Sequence, residues 1–462
     1  MSSLLSLRAA ALLVFVTIAQ ANAAELQAAK YTLDHLVALH PGETFTLDGF
    51  PVGPQRSAAI RFQRAEIYAP DAHIYLVGVG GHKELPRSNR IYLRGYADDG
   101  SARVAMSLNA DGSFADGNGS GPDGSFVVHA KVDAAGTHLT AQALEDALPP
   151  GYKYDFRCGN EGQSMLFHNP EDLMQKGAIG ANYPASVTSA PSTFKFASVA
   201  VDTDALFMSQ LFSNNVASAT TWIAKMFNTM NTMYEPDLNV ALVQGTTFLR
   251  TGSDPYGGAS NVPADGTDLN VFGAYWKTNY SSVKRAFATL LSGRGPCTPC
   301  GAGCTSCSAS GIAWIDQYCQ KGFANFGNTV GSYSVVQVFA SQTIDPNADI
   351  AARLTGHELG HNFGADHTHC TDKTSGLFPV ATNTVDQCYN GESSSGCYAS
   401  SQVCPAGGKG TIMSYCNIGA CAGTQNLLQF NATQISKTLA PNVSAETPAC
   451  LFVDPVFANG FN

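Results

Sequence analysis

Residues 357–367 read HELGHNFGADH, and this stretch restricts the fold more than any other part of the chain. Positions four apart lie one turn apart on the same face of a helix, so a helix here brings the imidazoles of His357 and His361 together. A helix that simply continued would carry a later histidine away from that face. Gly364 supplies the stop, because glycine accepts positive φ and lets the chain turn sharply out of a helix. His367 then returns toward the first two. Surface histidines on an ordinary helix would need neither that glycine nor the third histidine in these places. Three converging imidazoles make a zinc site, with metal–nitrogen distances of about 2.0–2.1 Å. Three protein ligands leave one position open, the pattern of a catalytic zinc rather than a structural one. Glu358 follows the first ligand and faces the open position, where it can act as general base on water. His369 lies two residues past His367 and is expected at the rim of the site.

The setting is that of an exported protein. The chain has 462 residues, enough for two or three domains of roughly 100–200 residues each. Only 13% of residues are charged and 45 are glycine, a balance that suits a β-rich, turn-rich secreted chain. The net charge of −10 repels phosphate backbones and argues against a nucleic-acid partner. Residues 1–23 carry one basic residue, Arg8, then an apolar run from Ala9 to Ala19, then Ala21-Asn22-Ala23. That is the layout of a cleavable secretory signal, and the run is shorter than the roughly 20 residues of a membrane span. No later segment reads as a span, so secretion without a stable membrane anchor is expected. In that oxidising compartment disulfides persist.

The cysteines divide the chain unevenly. Of thirteen, Cys158 stands alone and twelve fall between Cys297 and Cys450. CTPCGAGCTSC at 297–307 has two C-x-x-C pairs three residues apart. Zinc ribbons need about 15–20 residues between pairs, so a disulfide-stapled loop is expected instead. Residues 24–176 read as β-rich, with hairpin turns predicted at Asp99-Gly100, Asp111-Gly112, Asp116-Gly117 and Asp123-Gly124. Residues 177–193 are rich in Ala, Ser, Thr and Pro and read as an exposed linker. From 194 to 450, strands alternate with helices. FASVAVDTD, LNVALVQGTTFL, GIAWID and YSVVQVFAS read as strands; 206–234, SSVKRAFATLLSG at 281–293, and the stretch ending at Gly364 read as helices. This alternation predicts an α/β domain with a mostly parallel sheet. Residues 451–462 form a tail of undefined role.

HELGHNFGADH together with GTIMSY at 410–415 resembles the metzincin metallopeptidases, over roughly residues 195–450. GIAWIDQYC and the disulfide-rich surroundings are most similar to the adamalysin, or reprolysin, branch. The resemblance implies a zinc cleft in a twisted sheet with long helices, preceded here by a β-rich prodomain. It implies that Met413 forms an apolar floor beneath the histidines. As in the astacin and serralysin branches, it implies that Tyr415 helps bind zinc or the transition state. It places a cleft-edge strand at 311–315 that pairs with extended peptides. It suggests a Cys319–Cys450 bridge and leaves room for a structural Ca2+. RCGN at 157–160 resembles the cysteine switch of matrix metalloproteinases, in which a propeptide thiolate fills the open zinc position. On that likeness Cys158 is an inhibitory ligand, Arg157 favours the thiolate, and Gly159 lets the backbone approach the cleft. Two departures stand out: Phe156 replaces the family's proline, and Glu161 comes one residue early. The implied function is a secreted zinc endopeptidase, made latent and released by cleavage within 177–193, acting on proteins or peptides. The alternative is a catalytically silent binding or adhesion protein on the same fold.

Overall fold

The computed structural model describes residues 25–28, 30–148, 157–160, 194–256, 266–294, 309–325, 327–338, 348–376, 378, 382–405, 409–418, 421, 426–445 and 450–453. The leader at 1–23, the 177–193 linker, the CTPCGAGCTSC loop and the tail beyond 453 lie outside the described residues.

The N-terminal half is built from short antiparallel strands: β1 (Glu25–Ala28), β2 (Thr44–Gly53), β3 (Arg56–Arg64), β4 (Ile74–Gly78), β5 (Gly81–Leu85), β6 (Ile91–Tyr96), β7 (Arg103–Leu108), β8 (Phe114–Gly121), β9 (Gly124–Asp133) and β10 (Gly136–Ala143). Eight of them form one sheet in the order β1-β10-β9-β8-β7-β6-β3-β2. Its apolar face buries Phe50, Ile60, Phe62, Leu93, Val104 and Phe126 against Leu33 and Leu36 of helix α1 (Lys30–Ala38). Three of the predicted Asp-Gly turns sit between strands, with Gly100, Gly112 and Gly124 at φ +72°, +84° and +120°. Asp116-Gly117 is different and lies within β8. There the Asp116 carboxylate pairs with Arg90 at 2.5 Å and Lys225 at 2.7 Å, and the ladder keeps the dipeptide extended.

The second sheet has nine strands. It draws on β11 (Arg157–Cys158), β12 (Lys195–Thr203), β13 (Val240–Arg250), β14 (Phe287–Ser292) and β15 (Ala309–Ala313). After the small hairpin β16 (Phe323–Asn325) and β17 (Asn328–Val330) come β18 (Tyr333–Gln337) and β19 (Leu451–Phe452). The order is β11-β15-β18-β14-β12-β13-β4-β5, with β19 pairing on β12. Most neighbouring strands run parallel. The N-terminal half contributes to both ends of this sheet. β4 pairs parallel with β13, and β11 pairs parallel with β15.

One predicted helix is a strand. Within SSVKRAFATLLSG, Phe287–Ser292 folds as β14, whose six residues are all buried, and the residues before it form a turn. A parallel strand covered on both faces is a continuous apolar run, and periodicity alone does not separate it from a buried helix.

Three long helices pack on the sheet: α2 (Val216–Leu238), α3 (Gly266–Asn279) and α4 (Asp349–Asn362). Asn215 caps α2 by accepting the Ser218 N–H at 3.0 Å. One face of α2 is polar and meets the N-terminal sheet. Arg94 grips Glu235 through Nε at 2.7 Å and Nη2 at 2.5 Å, and Arg103 holds Asp237 at 2.6 Å. Asn228 donates to the carbonyls of Leu93 and Met106. Helix α4 is fully buried, and its Arg353 pairs with Asp349 one turn back while donating to Ser125 of β9 at 2.7 Å.

Disulfides join Cys319–Cys450, Cys370–Cys397, Cys388–Cys416 and Cys404–Cys421. The first is the bridge that the resemblance suggested. Cys158 is the free cysteine among the described residues. No helix of the described residues is long and apolar enough to cross a membrane.

Candidate metal centre and active site

Helix α4 delivers His357 and His361 to one point. Each ring is oriented from behind: His357 Nδ1 bonds the Ile412 carbonyl at 2.9 Å and His361 Nδ1 bonds the Ala365 carbonyl at 2.7 Å. With the proton on Nδ1, each Nε2 carries a lone pair, and the two Nε2 atoms stand 3.1 Å apart. The helix stops where expected. Gly364 has φ +103°, and a side chain there would also press on Asp316 Oδ1 at 2.9 Å. The turn brings His367 back, with ring centroids 5.3 Å from His357 and 4.8 Å from His361.

Two buried lone pairs aimed at each other repel unless a cation sits between them. Burial, then His367, pushes His357 down to about 3, and burial, then His357, holds His361 well below the ordinary histidine range, so protons do not relieve the repulsion. The Cys158 sulfur joins the same group, and the four donor atoms lie within 4.8 Å of one another, all buried. Three imidazole nitrogens and a thiol are a donor set that fits zinc. Burial, then the charge of Glu358, pushes the Cys158 thiol well above its usual range. A coordinated cation reverses this, because a thiol bound to metal is deprotonated. Two further donor groups occur among the described residues, but Cys370 of one and both cysteines of the other are in disulfides. Neither is an oxygen cage of the kind Ca2+ takes.

Cys158 arrives on an added strand. β11 lies along β15, Gly159 donates to the Gly311 carbonyl at 2.6 Å, and Asn160 Nδ2 donates to the Ala313 carbonyl at 3.0 Å. The strand sought at 311–315 thus spans Ala309–Ala313, antiparallel to β18, with β11 on its outer side. The Arg157 side chain lies outside the described residues. The Cys158 N–H donates to the Tyr415 hydroxyl at 2.7 Å, which places Tyr415, fully buried, against the loop that carries the thiol.

Glu358 is fully buried beside this loop. Its Oε2 accepts from the Cys158 thiol at 3.5 Å, and its Oε1 has no hydrogen-bond partner among the described residues. Burial raises its carboxyl to about 8. The Glu358 side chain packs against Gly311: a Cβ there would stand 2.7 Å from Glu358 Cδ and 2.8 Å from Cγ. Met413 is fully buried beneath the helix, facing Gly360 between the two ligands. Its turn also works through the backbone. Ile412 orients His357, and the Met413 carbonyl receives the Thr368 N–H at 3.1 Å.

His369 is not at the rim. It is fully buried, 2.5 Å from Glu392 Oε2, with its ring between those of His367 and Tyr389. The same Glu392 oxygen meets His367 Nδ1 at 2.7 Å. Glu392 escaped sequence reasoning because NGESSSGC has no helical or strand period, and its approach depends on disulfide connectivity. Burial pushes the Glu392 carboxyl up, but the two histidines outweigh it and hold it well below the usual range.

Comparison with known proteins places the chain in a family. Residues 193–430 match the Reprolysin_5 family, described as Metallo-peptidase family M12. Among curated relatives, the disintegrin and metalloproteinase domain-containing protein B of Trichophyton verrucosum is 29% identical over 198 residues, covering 39% of this chain and 23% of that protein. Its counterpart in Arthroderma otae is 27% identical over 233 residues, 47% of this chain and 26% of that one. The counterpart in Aspergillus fumigatus is 28% identical over 199 residues, 39% of this chain and 22% of that one. The chain thus spans about a quarter of the length of the curated relatives it matches. The matched stretch covers more than half of the 462 residues and holds both the three-histidine helix exit and the methionine turn, so the chain belongs to metallo-peptidase family M12.

Proposed function

We propose that this chain is a zinc endopeptidase of the metzincin type, secreted as a latent precursor and acting on proteins or peptides. Residues 1–23 are its secretory signal, 24–176 its prodomain, 177–193 its activation linker and 194–450 its catalytic domain, followed by the 451–462 tail. The observation that carries the reading is the Cys158 thiol standing among His357, His361 and His367, delivered by a strand from the N-terminal half.

His357, His361 and His367 hold the ion, and Cys158 closes the set in the latent form. When bound, zinc polarises the scissile carbonyl and brings the pKa of a water toward 7. The chain's own residues do the rest. Withdrawal of β11 uncovers the outer edge of β15, where an extended substrate pairs by its backbone. It also uncovers the Glu358 carboxylate, whose unpartnered Oε1 accepts a proton from the attacking water and returns it to the leaving amine. Burial raises the Glu358 carboxyl in the closed form, and opening the cleft to water favours the carboxylate that the base role needs. The Tyr415 hydroxyl, bonded here to the Cys158 N–H, becomes available to donate to the developing oxyanion.

The test compares the purified wild type, Cys158→Ser and Cys158→Ser with Glu358→Ala on a denatured protein substrate, with and without a chelator. The reading requires a silent wild type, an active single variant that the chelator stops, and an inactive double variant that still binds zinc. An inactive Cys158→Ser variant with zinc in place would instead favour the silent binding protein.

A further inference from the structure

The third ligand differs from the other two in how it is held. His357 and His361 ride on a buried helix and lean on backbone carbonyls. His367 lies beyond the helix, in an extended conformation at φ −59° and ψ 144°. Its ring is oriented by a carboxylate 25 residues downstream, Glu392 Oε2 at 2.7 Å from Nδ1. We propose that Glu392 is a positioning residue for the zinc site, and that the loop from Cys388 to Cys397 serves to hold it there. This inference rests on the zinc reading of the site given above.

The geometry supports the role at each step. An acceptor on Nδ1 fixes the tautomer of His367 and turns Nε2 toward the shared point, as the carbonyls do for the other two rings. A carboxylate does this through a charge-assisted bond, and it raises the basicity of the ligand. Glu392 is itself fully buried, so it must be paired. The same oxygen meets His369 Nε2 at 2.5 Å, and the His369 ring stacks on His367 with centroids 5.3 Å apart at 15°. His369 is thus a second brace on Glu392. The loop is stapled to the site at both ends. Cys397 bridges to Cys370, three residues past His367, and Cys388 bridges to Cys416, three residues past Met413. Inside the loop, Ser395 N–H caps the Glu392 carbonyl at 2.9 Å, and just past its end Tyr398 N–H holds the His369 carbonyl at 2.9 Å. Two of the four described disulfides therefore bracket one carboxylate.

The experiment measures zinc dissociation constants by chelator competition on the full chain, with the cobalt absorption spectrum as a second readout. Glu392→Gln keeps the volume and an acceptor but removes the charge. It should weaken zinc binding by about 10–100-fold, the range typical of such partners, and shift the visible cobalt bands while leaving circular dichroism unchanged. His369→Gln removes only the second brace and should lose less, roughly several-fold, below that range. If Glu392→Gln does not fold, His369→Gln decides: a measurable loss supports the proposal and wild-type affinity overturns it. A folded Glu392→Gln with wild-type affinity and cobalt spectrum overturns it directly. His361→Ala separates the two readings: it should lose the metal, and if it binds zinc like the wild type, the zinc site itself is wrong.

Discussion

Gly311→Ala should disable the enzyme without touching a metal ligand. The new Cβ would stand 2.8 Å from Glu358 Cγ and 2.7 Å from Cδ. Carbon atoms in contact sit about 3.5–4.0 Å apart, so the side chain must retreat by roughly 0.7 Å or more. The helix backbone cannot share much of that shift. Tyr234 holds the Gly356 carbonyl at 2.7 Å, and His357 is tied to Ile412 at 2.9 Å. The displacement therefore falls on the carboxylate. A misplacement of about 1 Å costs on the order of 10²-fold, and a general base supplies about 10²–10⁴-fold in total. A kcat reduced by about 10²-fold is expected, with overpacking costing about 1–3 kcal/mol of stability. The assay is hydrolysis of a quenched peptide by linker-cleaved protein in a Cys158→Ser background, with zinc content measured on the same samples. Zinc should stay at the parental level. Parental kcat in Gly311→Ala would refute the placement of Glu358 against this strand during turnover.

Other perturbations probe separate parts of the account. Arg94→Ala leaves Glu235, 8% exposed, without its guanidinium, which should cost about 3–5 kcal/mol; a wild-type melting temperature would contradict the buried pair. Tyr415→Phe removes the acceptor of the Cys158 N–H and should weaken the latent form by about 1–3 kcal/mol, read as faster thiol labelling of Cys158. An unchanged labelling rate would mean that the hydroxyl does not anchor the strand. The metal-free chain should lose stability in acid. His357 falls from 6.5 to about 3 on folding, so the unfolded chain binds the extra proton between those values. Its contribution is intact above pH 6.5 and is lost as pH falls toward 3. A urea midpoint that stays flat from neutral pH into that window would argue against a buried neutral imidazole.

What could be read in advance was local. The convergence of His357, His361 and His367 follows from helix periodicity and one glycine, all within eleven residues. The hairpins at Gly100, Gly112 and Gly124 follow from the φ demands of tight turns. Features set by distant partners were not legible. β14 looks like a buried helix because its neighbours on both sides, β12 and β18, exist only in the folded sheet. The pairing of β4 with β13 joins residues more than 160 apart, and nothing in either strand names the other. His369 seemed peripheral because its partner, Glu392, is brought to it by a disulfide-bracketed loop. Cys158 was readable only through its resemblance to a switch motif. Its contacts with Tyr415, Glu358 and Gly311 come from three separate elements.

The most direct test of the central claim is the near-ultraviolet absorption of the cobalt-substituted full-length chain. Cys158 as fourth ligand predicts a thiolate-to-cobalt charge-transfer band in the wild type that is absent from Cys158→Ser, with cobalt stoichiometry unchanged. Identical spectra from the two proteins would show that the thiol does not reach the metal, and the latent zinc site described here would be wrong.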